Sequence, residues 1–138
     1  GGCALYEKTQ DPDILAPIAK VTAVQVVKQT NEGATLKITL VLENPNALAL
    51  PLTRASYSMT AGGAKGSYNS RPNCTLPSAG SQSFDLIAAI PATSSLSGAA
   101  VQVQGTITYN PPGEVRKLLT ESNVPLPTTS FSFSGSVQ

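Results

Sequence analysis

The chain has 138 residues, with nine Lys or Arg against eight Asp or Glu, no His and no Trp, and a formal charge of +1. This is one domain's length, and at that size about two thirds of the unfolded surface can be buried. A hydrophobic fraction of 41% with only 12% charged residues excludes a charge-rich disordered protein. The charges are scattered and aromatics are few, so neither the basic stripe nor the stacking platform of a nucleic-acid binder is present, and nucleic acid is not the expected partner.

Residues 1–17 hold Asp11-Pro12-Asp13, lack sustained periodicity and read as a flexible tether before a folded unit at 18–138. Gly1-Gly2-Cys3 places small residues ahead of a cysteine, as at the acylated cysteine of a bacterial lipoprotein. Cys3 is therefore a candidate lipidation site; the other reading is an ordinary tail cysteine. The sequence does not contain the apolar signal segment that would verify cleavage. Because mature lipoproteins start at the cysteine, the two glycines suit a soluble form made without the lipid, and a tag remnant accounts equally well for Gly1. With an anchor, Ala4 rather than Asp after the cysteine points to the outer membrane by the usual Gram-negative sorting rule. No run of about 20 apolar residues exists, so no bilayer-spanning helix is expected.

Strands follow at short spacing from Ile18 onward. Val21 to Lys28 alternates imperfectly, as a bulged strand does. Across the Asn31-Glu32-Gly33 turn, Leu36, Ile38, Leu40 and Leu42 face one way while Lys37, Thr39, Val41 and Glu43 face the other, the period of a half-buried antiparallel strand. Asn44-Pro45-Asn46 then ends that strand. Proline supplies no amide hydrogen and biases Asn44 away from helical geometry, and asparagine side chains bond readily to turn backbone, so Asn44 is assigned a structural role. Leu52 to Thr60 is a strand with Tyr57 and Met59 on one face. It is followed by a glycine turn at Gly62, Gly63 and Gly66 that lacks Walker spacing and reads as a hairpin rather than a phosphate loop.

Leu76-Pro77-Ser78-Ala79-Gly80 precedes an apolar strand carrying Phe84, Leu86, Ala88 and Ile90. The next holds Val101, Val103, Gly105, Ile107 and Tyr109, and the last Phe131, Phe133 and Val137. After Asn110-Pro111-Pro112-Gly113, residues 114–121 place Val115, Leu118 and Leu119 at helical spacing, which predicts a short helix plugging one end of the core; a partner-binding helix is the lesser reading. About seven short antiparallel strands with that helix predict an all-β sandwich of the immunoglobulin or fibronectin III type, with a core drawn from Leu36, Ile38, Leu40, Leu42, Tyr57, Leu86, Val103, Ile107 and Phe133.

The inventory for catalysis is thin. The chain has no histidine, which removes the commonest general base and zinc ligand. Asp11 and Asp13 are the only closely spaced carboxylates and read as solvated tail charges. No catalytic residue, cofactor-binding residue or metal ligand is assigned, and the protein is not expected to be an enzyme. Cys74 shares a strand face with Leu76 and reads as a small buried hydrophobe. A Cys3–Cys74 disulfide is the alternative, which acylation of Cys3 would preclude. Asn73-Cys74-Thr75 fits the glycosylation sequon, a weak match that would be idle in a bacterium. The presumed outward faces of the last two strands carry Gln102, Gln104, Thr106 and Thr108, and Ser130, Ser132, Ser134 and Ser136.

The ordered set of a strand running into Asn44-Pro45-Asn46, the Tyr-bearing strand, Leu76 to Gly80, Gly105-Thr106-Ile107-Thr108-Tyr109, Val124-Pro125-Leu126-Pro127 and a final strand at Gly135 and Val137 resembles the WHy domain (water stress and hypersensitive response), the type 2 late-embryogenesis-abundant family, over residues 17 to 138. The resemblance implies a folded, non-enzymatic, chaperone-like protein that shields other proteins or the cell envelope through desiccation, freezing or osmotic stress. Its clients would be weak and unspecific, it would need no cofactor, and with a lipid on Cys3 it would reside in the bacterial cell envelope, at the outer membrane or facing the periplasm. The alternative is a structural adaptor lipoprotein that docks one envelope complex through a sheet edge or loop.

Overall fold

A computed structural model of the chain describes residues 14–111 and 125–138. They form eight antiparallel strands in two facing sheets, and no helix is present among them. The helix expected at 114–121 and the candidate lipidation residue Cys3 lie outside the described residues.

The strands are β1 (Ile18–Gln29), β2 (Ala34–Glu43), β3 (Leu50–Ala61), β4 (Ala64–Ser70), β5 (Cys74–Leu76), β6 (Ser81–Ile90), β7 (Ala100–Tyr109) and β8 (Thr128–Ser136). One sheet has the order β1-β2-β6. The other runs β4-β3-β7-β8, with β5 continuing the β4 edge of β3. At the sides of the sandwich β1 lies against β8 and β4 against β6.

The alternation of β2 is fully expressed: Leu36, Ile38, Leu40 and Leu42 are buried between the sheets. Opposite them stand Leu50, Leu52, Tyr57 and Met59 of β3 and Val103, Ile107 and Tyr109 of β7. β1 shifts register between Val21 and Ala23 and again between Val26 and Lys28, so its inward positions change parity and its sequence period blurs. A third shift, between Leu52 and Arg54, does the same in β3, where burial passes from Leu52 to Ala55.

Two turns show why glycine or its substitutes are needed. Gly62 and Gly63 connect β3 to β4 with φ of +56° and +84°, the signs required at both central residues of a type I′ hairpin. Asn73, at φ +49°, follows Pro72 at the break that separates β5 from β4. Pro72 has no N–H for the ladder, so one edge becomes two short strands and the count rises to eight.

The expected core holds with one correction. Phe131 is buried, whereas Phe133 is only half-buried. The reason lies in the two glycines: Phe131 closes over Gly105, where an added Cβ would come within 2.7 Å of its ring, while Phe133 folds along its own strand over Gly135 near the sheet's end.

Candidate functional site

Asn44 and Asn46 are buried at one pole of the sandwich, with Pro45 exposed between them. The Asn44 side-chain amide Nδ2 donates to the carbonyls of Leu48 (2.8 Å) and Pro77 (3.0 Å), with a longer contact to that of Leu76 (3.5 Å). Its Oδ1 accepts from the Asn46 backbone N–H at 3.0 Å and the Asn46 Nδ2 at 2.9 Å. Asn46 in turn grips the incoming chain: its Oδ1 accepts from the Leu15 N–H and its Nδ2 donates to the Leu15 carbonyl, both at 2.8 Å. Backbone bonds from Asn44 N to Gly80 O and from Ala79 N to Asn46 O close the hub. Every polar atom of both side chains is committed to protein partners, so the triplet joins three chain segments and leaves nothing over for a ligand.

Residues 14–17, the end of the expected tether, are thereby held to the domain. The N–H and the carbonyl of Leu15 are both bonded to the Asn46 side chain, and the Pro17 carbonyl accepts from Thr129 Oγ1 at 2.6 Å. Pro17 is fully buried.

Tyr57 of β3 and Tyr68 of β4 pack against each other with ring centroids 5.3 Å apart and planes tilted by 31°, and both reach across to β6. Their hydroxyls donate to the carbonyls of Ile87 (2.6 Å) and Ala89 (2.8 Å). Because β6 pairs with β2 on one side only, these bonds satisfy carbonyls on an edge strand and tie the two sheets together.

The outer face of the larger sheet is the third arrangement. Register places Ser56, Thr106 and Ser130 in one row, Ser58, Gln104 and Ser132 in the next, and Thr60, Gln102 and Ser134 in a third. Rows of this kind repeat at about 6.8 Å along the strands and 4.8 Å across them. The centre of this array borders a shallow concavity of about 730 Å³. The serines and glutamines of β7 and β8 lie outward as their alternation requires. Sequence reasoning had missed the β3 contribution, although Ser56, Ser58 and Thr60 are legible as the positions alternating with Tyr57 and Met59.

No protein-family model matches the sequence, and no curated protein matches it. Among solved structures, the chain is similar to the solution structure of At2g46140.1, classed as a late embryogenesis abundant (LEA) protein, with a TM-score of 0.64 and 18% identity over 99% of this chain and 76% of that one. It is also similar to AT1g01470 from Arabidopsis thaliana, with a TM-score of 0.59 and 14% identity over 94% of this chain and 88% of the other. The chain has an LEA-type fold. At these identities the likeness concerns architecture, which agrees with the order of motifs around Asn44, Leu76 and Gly105.

Within this LEA-type sandwich the perturbed ionisable groups are aromatic hydroxyls and one thiol. Burial, then the neighbouring Tyr68, push the Tyr57 hydroxyl upward against the opposing effect of its bond to Ile87. Tyr68 and Tyr109 are raised by burial alone. Cys74 is half-buried against the core and its thiol is also raised by burial, which lowers its thiolate fraction and reactivity. For a tyrosine whose folded value lies above its ordinary 10.0, the stabilising contribution is complete below about pH 10 and is lost as pH climbs through the folded value. Tyr57→Phe should cost roughly 1 kcal/mol near neutral pH through the lost bond to Ile87. It should also make the alkaline decline shallower. Denaturant unfolding from about pH 8 to 11 checks both, and an alkaline arm as steep as the parent's would remove Tyr57 from this role.

Proposed function

We propose that this protein is a WHy, or type 2 LEA, protein that shields other proteins and the cell envelope during drying, freezing or osmotic stress, without catalysis, nucleotide or cofactor, while anchored to the bacterial envelope through a lipid on Cys3. The observation that carries this reading is the uncharged hydroxyl and amide array on the outer face of β3, β7 and β8, borne on an LEA-type fold. A surface of this kind can rest against the exposed backbone and side chains of a partly unfolded client. It offers hydrogen bonds to either while burying no charge, and burial of unpaired charge is the costly part of an unspecific contact.

The test is an unrelated, freeze-labile enzyme taken through freeze–thaw cycles with roughly stoichiometric protein, compared with an inert protein of equal mass. Activity should survive better with this protein, and without ATP. A triple variant, Ser58→Lys, Gln104→Lys and Ser132→Lys, puts three like charges on adjacent positions of one row, and it should lose most of the protection while still unfolding cooperatively. Equal protection by the inert protein would reduce the effect to crowding. In that event the adaptor reading takes over, and pull-down from the native envelope should yield one stoichiometric partner instead of many weak clients.

A further inference from the structure

We propose that the pole of the sandwich built on Asn44 and Asn46 faces a phospholipid bilayer, with Leu15, Ile18 and Leu48 resting in its headgroup region. The proposal rests on the reading of Cys3 as an acylated residue and deepens it by assigning an orientation. Five large aliphatic side chains are exposed among the described residues, and three of them gather here: Leu15 at 56%, Ile18 at 48% and Leu48 at 44%. Their backbones are fixed from beneath. Asn46 holds both polar groups of the Leu15 peptide, the Leu48 carbonyl accepts from Asn44, and Ile18 opens β1 opposite Glu43. Three apolar side chains on a clamped frame need little ordering to form a contact.

The position of the chain entry selects the occupant. Ten residues lie between Cys3 and Ile14, where the described domain begins, a contour of at most roughly 40 Å. β1, with 12 residues, runs a comparable distance to the far pole, where Val27 is exposed. An anchored Cys3 therefore keeps the Ile18 pole within that contour of the bilayer, whereas the far pole can stand a further domain length away. A single acyl chain gives only marginal membrane binding, and a second apolar contact acting at the high effective concentration set by a short tether would reinforce it. The depression of about 290 Å³ beside Ile18 has one charged lining residue, Glu43, so the contact suits a zwitterionic headgroup rather than an anionic one.

The full chain in a Cys74→Ser background, coupled through Cys3 to a maleimide lipid in phosphatidylcholine nanodiscs that carry a spin-labelled headgroup, tests the orientation by methyl NMR. Methyl signals of Leu15, Ile18 and Leu48 should broaden several-fold more than that of Val27. Replacing Leu15 and Leu48 by Ser should reduce the broadening at Ile18. Equal broadening at Val27 would overturn the proposal, as would concentration-dependent shifts of the three residues without nanodiscs, which would mark the pole as a contact between copies of this chain. Mass spectrometry of the native membrane fraction judges the anchor separately. An unmodified Cys3 overturns the lipid reading, whereas the nanodisc signals decide the bilayer contact of this pole whichever way that result falls.

Discussion

Leu40→Ala should destabilise the protein by roughly 2 to 5 kcal/mol, the cost of emptying a fully enclosed leucine site. Leu40 is completely buried on the central strand of the three-stranded sheet, paired with Val21 of β1 on one side and Phe84 of β6 on the other. Its neighbours are held by two ladders, so the cavity cannot close by a shift of a single strand. The melting temperature should fall by about 10 °C, given the dependence of melting on free energy at this chain length. Val41→Ala, one residue on and facing outward, should cost less than about 1 kcal/mol. Chemical denaturation gives the comparison directly, with the m-value expected to be unchanged. Similar costs at the two positions would mean that the inner face of β2 does not carry the contact between the sheets.

That contrast is legible in the sequence, because the period of two in β2 is uninterrupted from Ala34 to Glu43. β1 and β3 were harder, since each register shift reverses the inward parity midway and a window across the bulge averages the two phases. β5 is legible only as the shared face of Cys74 and Leu76, for a different reason. Three residues between a proline break and Pro77 carry no period, and their strand character comes from pairing with Leu50, Pro51 and Leu52. Asn44 was legible as a residue that bonds turn backbone, and its bond to Leu48 is local. The bonds to Leu76 and Pro77 span 32 and 33 residues, and the Asn46 bonds to Leu15 span 31. No local pattern encodes such partners, which is why residues 14–17 read as tether while the fold ties them down. The outer hydroxyl face follows from simple alternation once the strands are placed, but its continuity across β3, β7 and β8 depends on the register between strands far apart in sequence.

Asn44→Ala should cost about 3 kcal/mol, more than one exposed hydrogen bond would, because it removes several hydrogen bonds at once and leaves the buried Asn46 N–H without a partner. The carbonyl of Pro77 and the backbone N–H of Asn46 lose their side-chain partner, and the Asn46 amide loses one of its two acceptors. Asn44→Asp isolates the donor from the acceptor. The carboxylate can still accept from Asn46, but it sets a negative charge against the carbonyls of Leu48 and Pro77 where an N–H pair had donated. Its folded pKa must then lie above the ordinary carboxylate value, so the deficit relative to Asn should be small in acid and should grow as pH rises through that folded value. Unfolding of both variants between about pH 3 and 7 separates the two contributions. Protection of a freeze-labile enzyme, measured below the melting range, should persist in Asn44→Ala, since the array around Gln104 lies on β3, β7 and β8, away from the hub. The Leu15 end should behave differently: with Asn46 no longer braced, hydrogen exchange at the Leu15 amide should accelerate. An Asn44→Ala protein that keeps its stability but loses protection would move Asn44 from the frame of the fold to the surface that meets clients.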